Sequence, residues 1–337
     1  MTAKLLAADV ALDWQQLPVL PDPLGVAGAF AGVSDGALIV AGGANFPDKL
    51  PWNGGRKVWH DAVYVLERPQ GVWRSGFKLP KPLGYGVSLT TPDGVLCIGG
   101  SDATQHVRDV FLLQWHHDEL KHEALAPLPA PLANACGALV GHTVYVAGGT
   151  ASPDATNALN VFWSLDLKAR GASWEELPAW PGPARMLSVA AALGDSFYVV
   201  GGTDLAPDAA GNPMRTYLKD AYRFTPGQGW RRIADLPNPV VAAPTPAPVS
   251  SGTQFLVIGG DDGSLVNFTP RSEHPGFPKR VLAYDAAHDT WSVVGETPAS
   301  RATLPTAPWR GGFVLPSGEA KPGVRSPQVW VVRPRGI

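Results

Sequence analysis

The chain has 337 residues, enough for a large core, and its 45% hydrophobic content rules out a disordered polymer. A formal net charge of −2, with lysines and arginines scattered along the chain, removes the electrostatic argument for a nucleic-acid partner. The 38 glycines and 34 prolines point to many tight turns and, lacking a G-X-Y period, exclude collagen.

The N-terminal stretch MTAKLLAADVALDWQQLP holds one lysine and a short apolar run cut by Asp9, too interrupted for a secretory leader. No later run approaches the length of a membrane span, so no membrane partner is expected. A cytoplasmic protein is expected, with a periplasmic one as the alternative if a leader has been removed. The two cysteines, Cys97 and Cys136, sit in apolar strand-like runs and read as inert core thiols.

From residue 38 onward the chain repeats itself. An apolar run ending in Gly-Gly recurs as LIVAGG to Gly43, LCIGG to Gly100, VYVAGG to Gly149, FYVVGG to Gly202 and FLVIGG to Gly260. FVLPSGE takes the sixth place, with Glu319 expected where the second glycine stands elsewhere. After each doublet comes a polar segment and an aromatic strand pattern: DAVYVLE, RDVFLLQW, NVFWSLD, DAYRFTP, RVLAYD and PQVWVV. A tryptophan then precedes Leu-Pro, as in Trp73 before Leu79-Pro80, Trp174 before Leu177-Pro178 and Trp230 before Leu236-Pro237.

Each unit reads as four short strands, with no helical periodicity. Four-stranded units near 50 residues with a glycine doublet and a spaced tryptophan are the kelch pattern. Six of them predict an all-β, six-bladed propeller over residues 1–337, taken as one domain. The tryptophans read as blade-to-blade packing. The sixth unit lacks its outer strand, and ALDWQQLP, with Trp14, Leu17 and Pro18, supplies one. The N-terminal strand is thus expected to complete the last blade and close the ring, leaving no open sheet edge.

If neighbouring strands are antiparallel, the segments after Leu-Pro and the insertions after the doublets share one rim. The long insertions 44–60, 203–218 and 261–280 crowd it, which marks it as the binding face. Tyr85, Asn134, Arg185, Arg301, Glu319 and Arg325 belong to that rim. In Ser317-Gly-Glu-Ala-Lys-Pro-Gly-Val-Arg325, Pro322-Gly323 suits a tight reversal. A loop centred on Pro322 sets Glu319 opposite Arg325, whereas a two-residue Pro-Gly loop sets them on opposite faces; sequence leaves both registers open.

SGEAKPGVR resembles the GEAKPG-hydrophobic-Arg segment of the bacterial kelch N-acetylneuraminate epimerases, also called sialic acid mutarotases. GGANFP, from Gly42 to Pro47, YGVS from Tyr85, and Pro183-Ala184-Arg185 are similar to further elements of that family. The order differs: here GGANFP comes first and GEAKPG closes the chain, which resembles a circularly permuted branch. A ring of similar blades tolerates a new starting point because spatial neighbours are kept.

The resemblance implies interconversion of the α and β anomers of N-acetylneuraminate, or a related acidic sugar, by acid–base ring opening. It assigns acid–base work to Glu319 and the substrate carboxylate to Arg325, whose planar fork can donate paired hydrogen bonds. Arg185 and Arg301 are expected as further contacts from their rim position, Asn45, Phe46 and Tyr85 as lining, and Lys321 as a weaker candidate. No metal or cofactor is expected: His116-His117-Asp118 reads as a solvated loop, and Asp261-Asp262-Gly263-Ser264 lacks EF-hand spacing. The alternative function is a non-catalytic propeller that binds a protein or carbohydrate on one rim. A glycosidase usually needs two placed carboxylates, and sequence offers one strong candidate.

Overall fold

Every repeat folds into an antiparallel four-stranded sheet, and the computed structural model describes residues 11–335. In blade 1 the strands are Phe30–Ser34, Ala37–Ala41, Ala62–Leu66 and Arg74–Lys78. Blades 2 to 5 follow over residues 87–124, 136–176, 189–233 and 249–296. Blade 6 is composite: Ala307–Trp309, Gly312–Pro316 and Val329–Arg335 are completed by Ala11–Leu17. The N-terminal strand pairs antiparallel with the last one, from Ala11↔Arg335 to Leu17↔Val329, as the repeat count required. Among the described residues no helix is long and apolar enough to cross a membrane.

The core lies between blades. The strands are buried on both faces, so their aliphatic and aromatic residues fill six separate clusters, one per interface. The outer-strand tryptophans serve those interfaces through their polar edge as well as their area. Trp73 donates to Pro18 O, Trp174 to Ala126 O, Trp230 to Pro178 O and Trp291 to Ala234 O, each reaching the preceding blade's terminal segment. An indole N–H usually finds an acceptor when removed from water, and these four tie neighbouring blades together. Cys97 and Cys136 are free and buried, and burial pushes both thiols up, Cys136 to about 12.

Around the axis the backbone closes a second ring. Gly28, Tyr85, Asn134, Leu187, Ala242 and Thr303 occupy equivalent positions entering the blades, and all six have φ between 56° and 67°. Each donates its N–H to the carbonyl of the residue before it in this series, and Gly28 N donates to Thr303 O, at 2.6–2.9 Å. These residues line the cavity on the axis. The positive φ turns each side chain out of the sheet, so the ring presents one residue per blade to the channel.

The structure corrects the register of the sixth doublet. In the other blades the residue just after Gly-Gly bridges to the residue just before the ring position: Ala44 to Ala27, Ser101 to Gly84, Thr150 to Ala133, Thr203 to Met186 and Asp261 to Val241. In blade 6 the equivalent bridge is Glu319 to Ala302. The doublet there is Ser317-Gly318, with φ 62° and 91° against 65° and 88° at Gly42-Gly43. A Cβ on Gly42 would lie 2.2 Å from Leu83 O. Ser317 resolves the equivalent crowding with its hydroxyl, which accepts from Val26 N at 2.7 Å and lies 2.9 Å from Val26 O. Glu319 is therefore not a glycine replacement but the blade 6 member of the series that follows the doublets.

Candidate active site

The site begins as a short hairpin, Glu319–Lys321 paired with Val324–Arg325. Pro322-Gly323 makes the two-residue turn, with Lys321 opposite Val324. Taken alone, that turn would pair Ala320 with Arg325. The register shifts between Glu319 and Lys321, and this bulge brings Glu319 opposite Arg325. Both registers left open by the sequence are thus present in part. Gly323 has φ 81°, and a Cβ there would meet Pro51 Cγ at 2.5 Å, so the turn is seated under the insertion of blade 1.

Glu319 Oε1 accepts from Arg325 Nη1 at 2.6 Å and from Gly323 N at 2.7 Å. Oε2 has only a long contact, 3.4 Å, from the hydroxyl of Thr303 on the axial ring. The Arg325 Nε donates to Ala44 O at 3.3 Å, and Nη2 lies 3.5 Å from the Tyr85 hydroxyl. Phe46 lies under the guanidinium, 4.9 Å from centroid to Cζ. The side chains are 5% (Arg325) and 19% (Glu319) exposed. The guanidinium is therefore not the free fork expected from sequence. Its Nη1 is committed to Glu319, and Nη2 has the 3.5 Å contact to the Tyr85 hydroxyl.

Of the eight candidates, Glu319, Arg325, Phe46 and Tyr85 converge. Lys321 is turned aside, its amine on Ser272 O at 2.7 Å, where it ties the hairpin to the insertion of blade 5. Three expectations are corrected. Arg185 has no exposed surface; it donates to Asp220 Oδ2 at 2.7 Å and to Gly201 O at 3.0 Å, between the rings of Trp180 and Tyr222. Arg301 turns along its own blade, to Ser326 Oγ at 2.9 Å and Gln328 Oε1 at 2.5 Å, and loss of solvent lowers its pKa. The reason is positional. Both arginines stand two residues before the axial ring, where other blades place buried Leu83, Leu132 and Val240, so their side chains enter the wedge between blades. Asn45 is 2% exposed, with its amide on Gly25 O and its oxygen 2.8 Å from His60 Nε2, leaving nothing for a sugar.

Sequence reasoning passed over other rim residues. Thr303 carries the hydroxyl beside Glu319 and is marked by its place in the ring. Lys57 lies 4.9 Å over the Tyr85 ring and 5.3 Å over Trp59, adding a cation near the Arg325 edge. Asp261, the blade 5 counterpart of Glu319, accepts from the Tyr217 hydroxyl at 2.8 Å. Desolvation and that carboxylate push the Tyr217 phenol up to about 12, so it stays a neutral donor. The signal for Asp261 was its position directly after a doublet.

A family profile for N-acetylneuraminate epimerase matches residues 2–121 and 125–269. A Yersinia pestis N-acetylneuraminate epimerase is 44% identical over 104 residues, 26% of each chain. One from Haemophilus influenzae is 29% identical over 225 residues, covering 59% of this chain and 56% of its own, and one from Salmonella enteritidis is 26% identical over 230 residues, covering 61% and 57%. The chain thus spans from about a quarter to just over half the length of these curated relatives. The solved structure of YjhT aligns with a TM-score of 0.68 over 95% of this chain and 99% of its own at 15% identity, a likeness of fold. The profile stops before the Glu319 hairpin but takes in well over half of the residues, and the chain belongs to the N-acetylneuraminate epimerase family.

Proposed function

We propose that the protein is a mutarotase that interconverts the anomers of N-acetylneuraminate or a closely related 2-keto sugar acid, with Glu319 as acid–base and Arg325 as the carboxylate anchor. The observation that carries this reading is the division of labour within one ion pair. Glu319 Oε1 is held by Arg325 and Gly323, while Oε2 has a 3.4 Å contact with the hydroxyl of Thr303, a residue that lines the axial cavity.

In the cyclic hemiketal, Glu319 Oε2 accepts the proton of the anomeric hydroxyl. The C2 carbonyl forms, the bond from C2 to the ring oxygen breaks, and that oxygen takes a proton back from the same carboxyl through water. Rotation about the adjacent carbon–carbon bond presents the other carbonyl face, and the steps reverse. Protons balance and no redox partner is needed. Arg325 Nη2 and the Tyr85 hydroxyl, 3.5 Å apart, form a donor pair for the substrate carboxylate beside the reacting carbon. Phe46 and Ala44 O hold the guanidinium so that this edge is presented. The pairing of Ala11–Leu17 with Val329–Arg335 in blade 6 supports the permuted order of the two family segments, since a ring closed there keeps GGANFP and GEAKPG adjacent.

The test is an NMR time course of freshly released α-N-acetylneuraminate. Approach to anomeric equilibrium should accelerate in proportion to protein concentration; a course unchanged by protein refutes the reading for this sugar.

A further inference from the structure

We infer that Asn134 is the specificity residue for the sugar's acylamino substituent, an inference that rests on the mutarotase reading. The axial ring has three polar side chains, and two of them, Tyr85 and Thr303, face the ion pair. Asn134 is the third, and in a ring of six it stands diametrically opposite Thr303. With hydrogen-bonded neighbours about 5 Å apart, the ring is about 10 Å across, which a nine-carbon sugar acid held at one side can bridge.

Asn134 is built into place. Its Nδ2 donates to Thr150 Oγ1 at 3.1 Å, and Thr150 lies 3.1 Å from Nε2 of buried His106. Thr150 is the blade 3 residue after the doublet, the position Glu319 holds in blade 6. Among the described residues Thr150 is the side-chain partner of this amide, so the Asn134 oxygen and second N–H remain for a ligand. Asn134 lines both the axial cavity and a neighbouring cleft of about 380 Å³.

Beside Asn134 and Thr150 the cleft is mixed: Met186 and Leu205, both buried in an apolar cluster, and Ala155 form its apolar part, and His106, Ser152 and Arg215 its polar part. An acetamido group fits the apolar part: its carbonyl accepts from the second Asn134 N–H, and its methyl packs toward Met186 and Leu205.

The experiment measures anomer exchange for N-acetylneuraminate and for the analogue with a hydroxyl in place of the acetamido group. Asn134 has φ 58°, so Asn134→Gly removes the amide without backbone strain. The wild type should favour the acetamido sugar about tenfold or more in kcat/KM, and Asn134→Gly should bring the two sugars to within about twofold of each other, mainly through KM. Thr150→Val should raise KM for the acetamido sugar alone, and Thr150→Ser should restore it. A preference that survives Asn134→Gly, or a loss equal for both sugars, overturns the role of Asn134 and leaves the mutarotase reading standing. Exchange of neither sugar by the wild type overturns that reading itself.

Discussion

Blade 4 and blade 6 each carry an arginine–carboxylate pair, Arg185–Asp220 at 2.7 Å and Arg325–Glu319 at 2.6 Å. The first is sealed: Arg185 is 0% exposed, and aromatic rings and carbonyls occupy its remaining faces. The second sits beside the axial ring, with one carboxylate oxygen and one guanidinium edge in long contacts to Thr303 and Tyr85. The ion-pair chemistry is shared; the difference is in the surroundings, because Glu319 and Arg325 meet Thr303 and Tyr85, which line the axial cavity, whereas Arg185 meets backbone carbonyls and aromatic rings. A closed pair holds blades together, and an open one can exchange a proton with a guest.

Breaking the open pair should produce the larger functional effect. Glu319→Gln keeps shape and an acceptor for Arg325 but removes the base, and should slow anomer exchange by about 10²–10⁴-fold with an unchanged melting temperature. Glu319→Ala is a poorer probe, because it leaves a guanidinium 5% exposed without its partner. Breaking the closed pair should do the reverse. Asp220→Ala strands the Arg185 charge and should cost about 3–5 kcal/mol in denaturant unfolding while sparing activity per folded molecule.

Burial should also make stability pH-dependent. Loss of solvent lowers the pKa of His106 and His274 in the folded chain. Below the unfolded value near 6.5 the unfolded chain binds more protons, so stability is full above that pH and falls as pH drops toward the folded values. Denaturant midpoints from pH 8 to 5 should fall on the acid side, and His106→Gln should flatten the slope. The smallest change is Phe46→Leu, which removes a ring worth about 0.5–2 kcal/mol to the Arg325 cation and should raise KM several-fold with little change in kcat.

The fold was readable because its signals recur: doublets, aromatic strands and Trp before Leu-Pro each appear several times, and ALDWQQLP completes the count. The candidate site was picked out where a local rule breaks, at SGEAKPGVR, whose Glu319 and Arg325 the structure brings together. What escaped was one-residue register. Ser317 takes a glycine's φ through hydroxyl bonds that composition cannot announce, which displaced Glu319 by one place. Arg185 and Arg301 look like ligands until they are aligned with Leu83 and Leu132 of other blades, which are buried. Asn134 was placed on the rim by its position after Leu-Pro, whereas Thr303 emerges only from the closed ring of backbone bonds, since it shares its position with five dissimilar residues.

The most direct test is saturation-transfer NMR of anomer exchange in N-acetylneuraminate at equilibrium, with Glu319→Gln and Asp220→Asn compared at equal folded concentration. The open-pair account expects exchange lost in Glu319→Gln and retained in Asp220→Asn. Retained exchange in Glu319→Gln would contradict it.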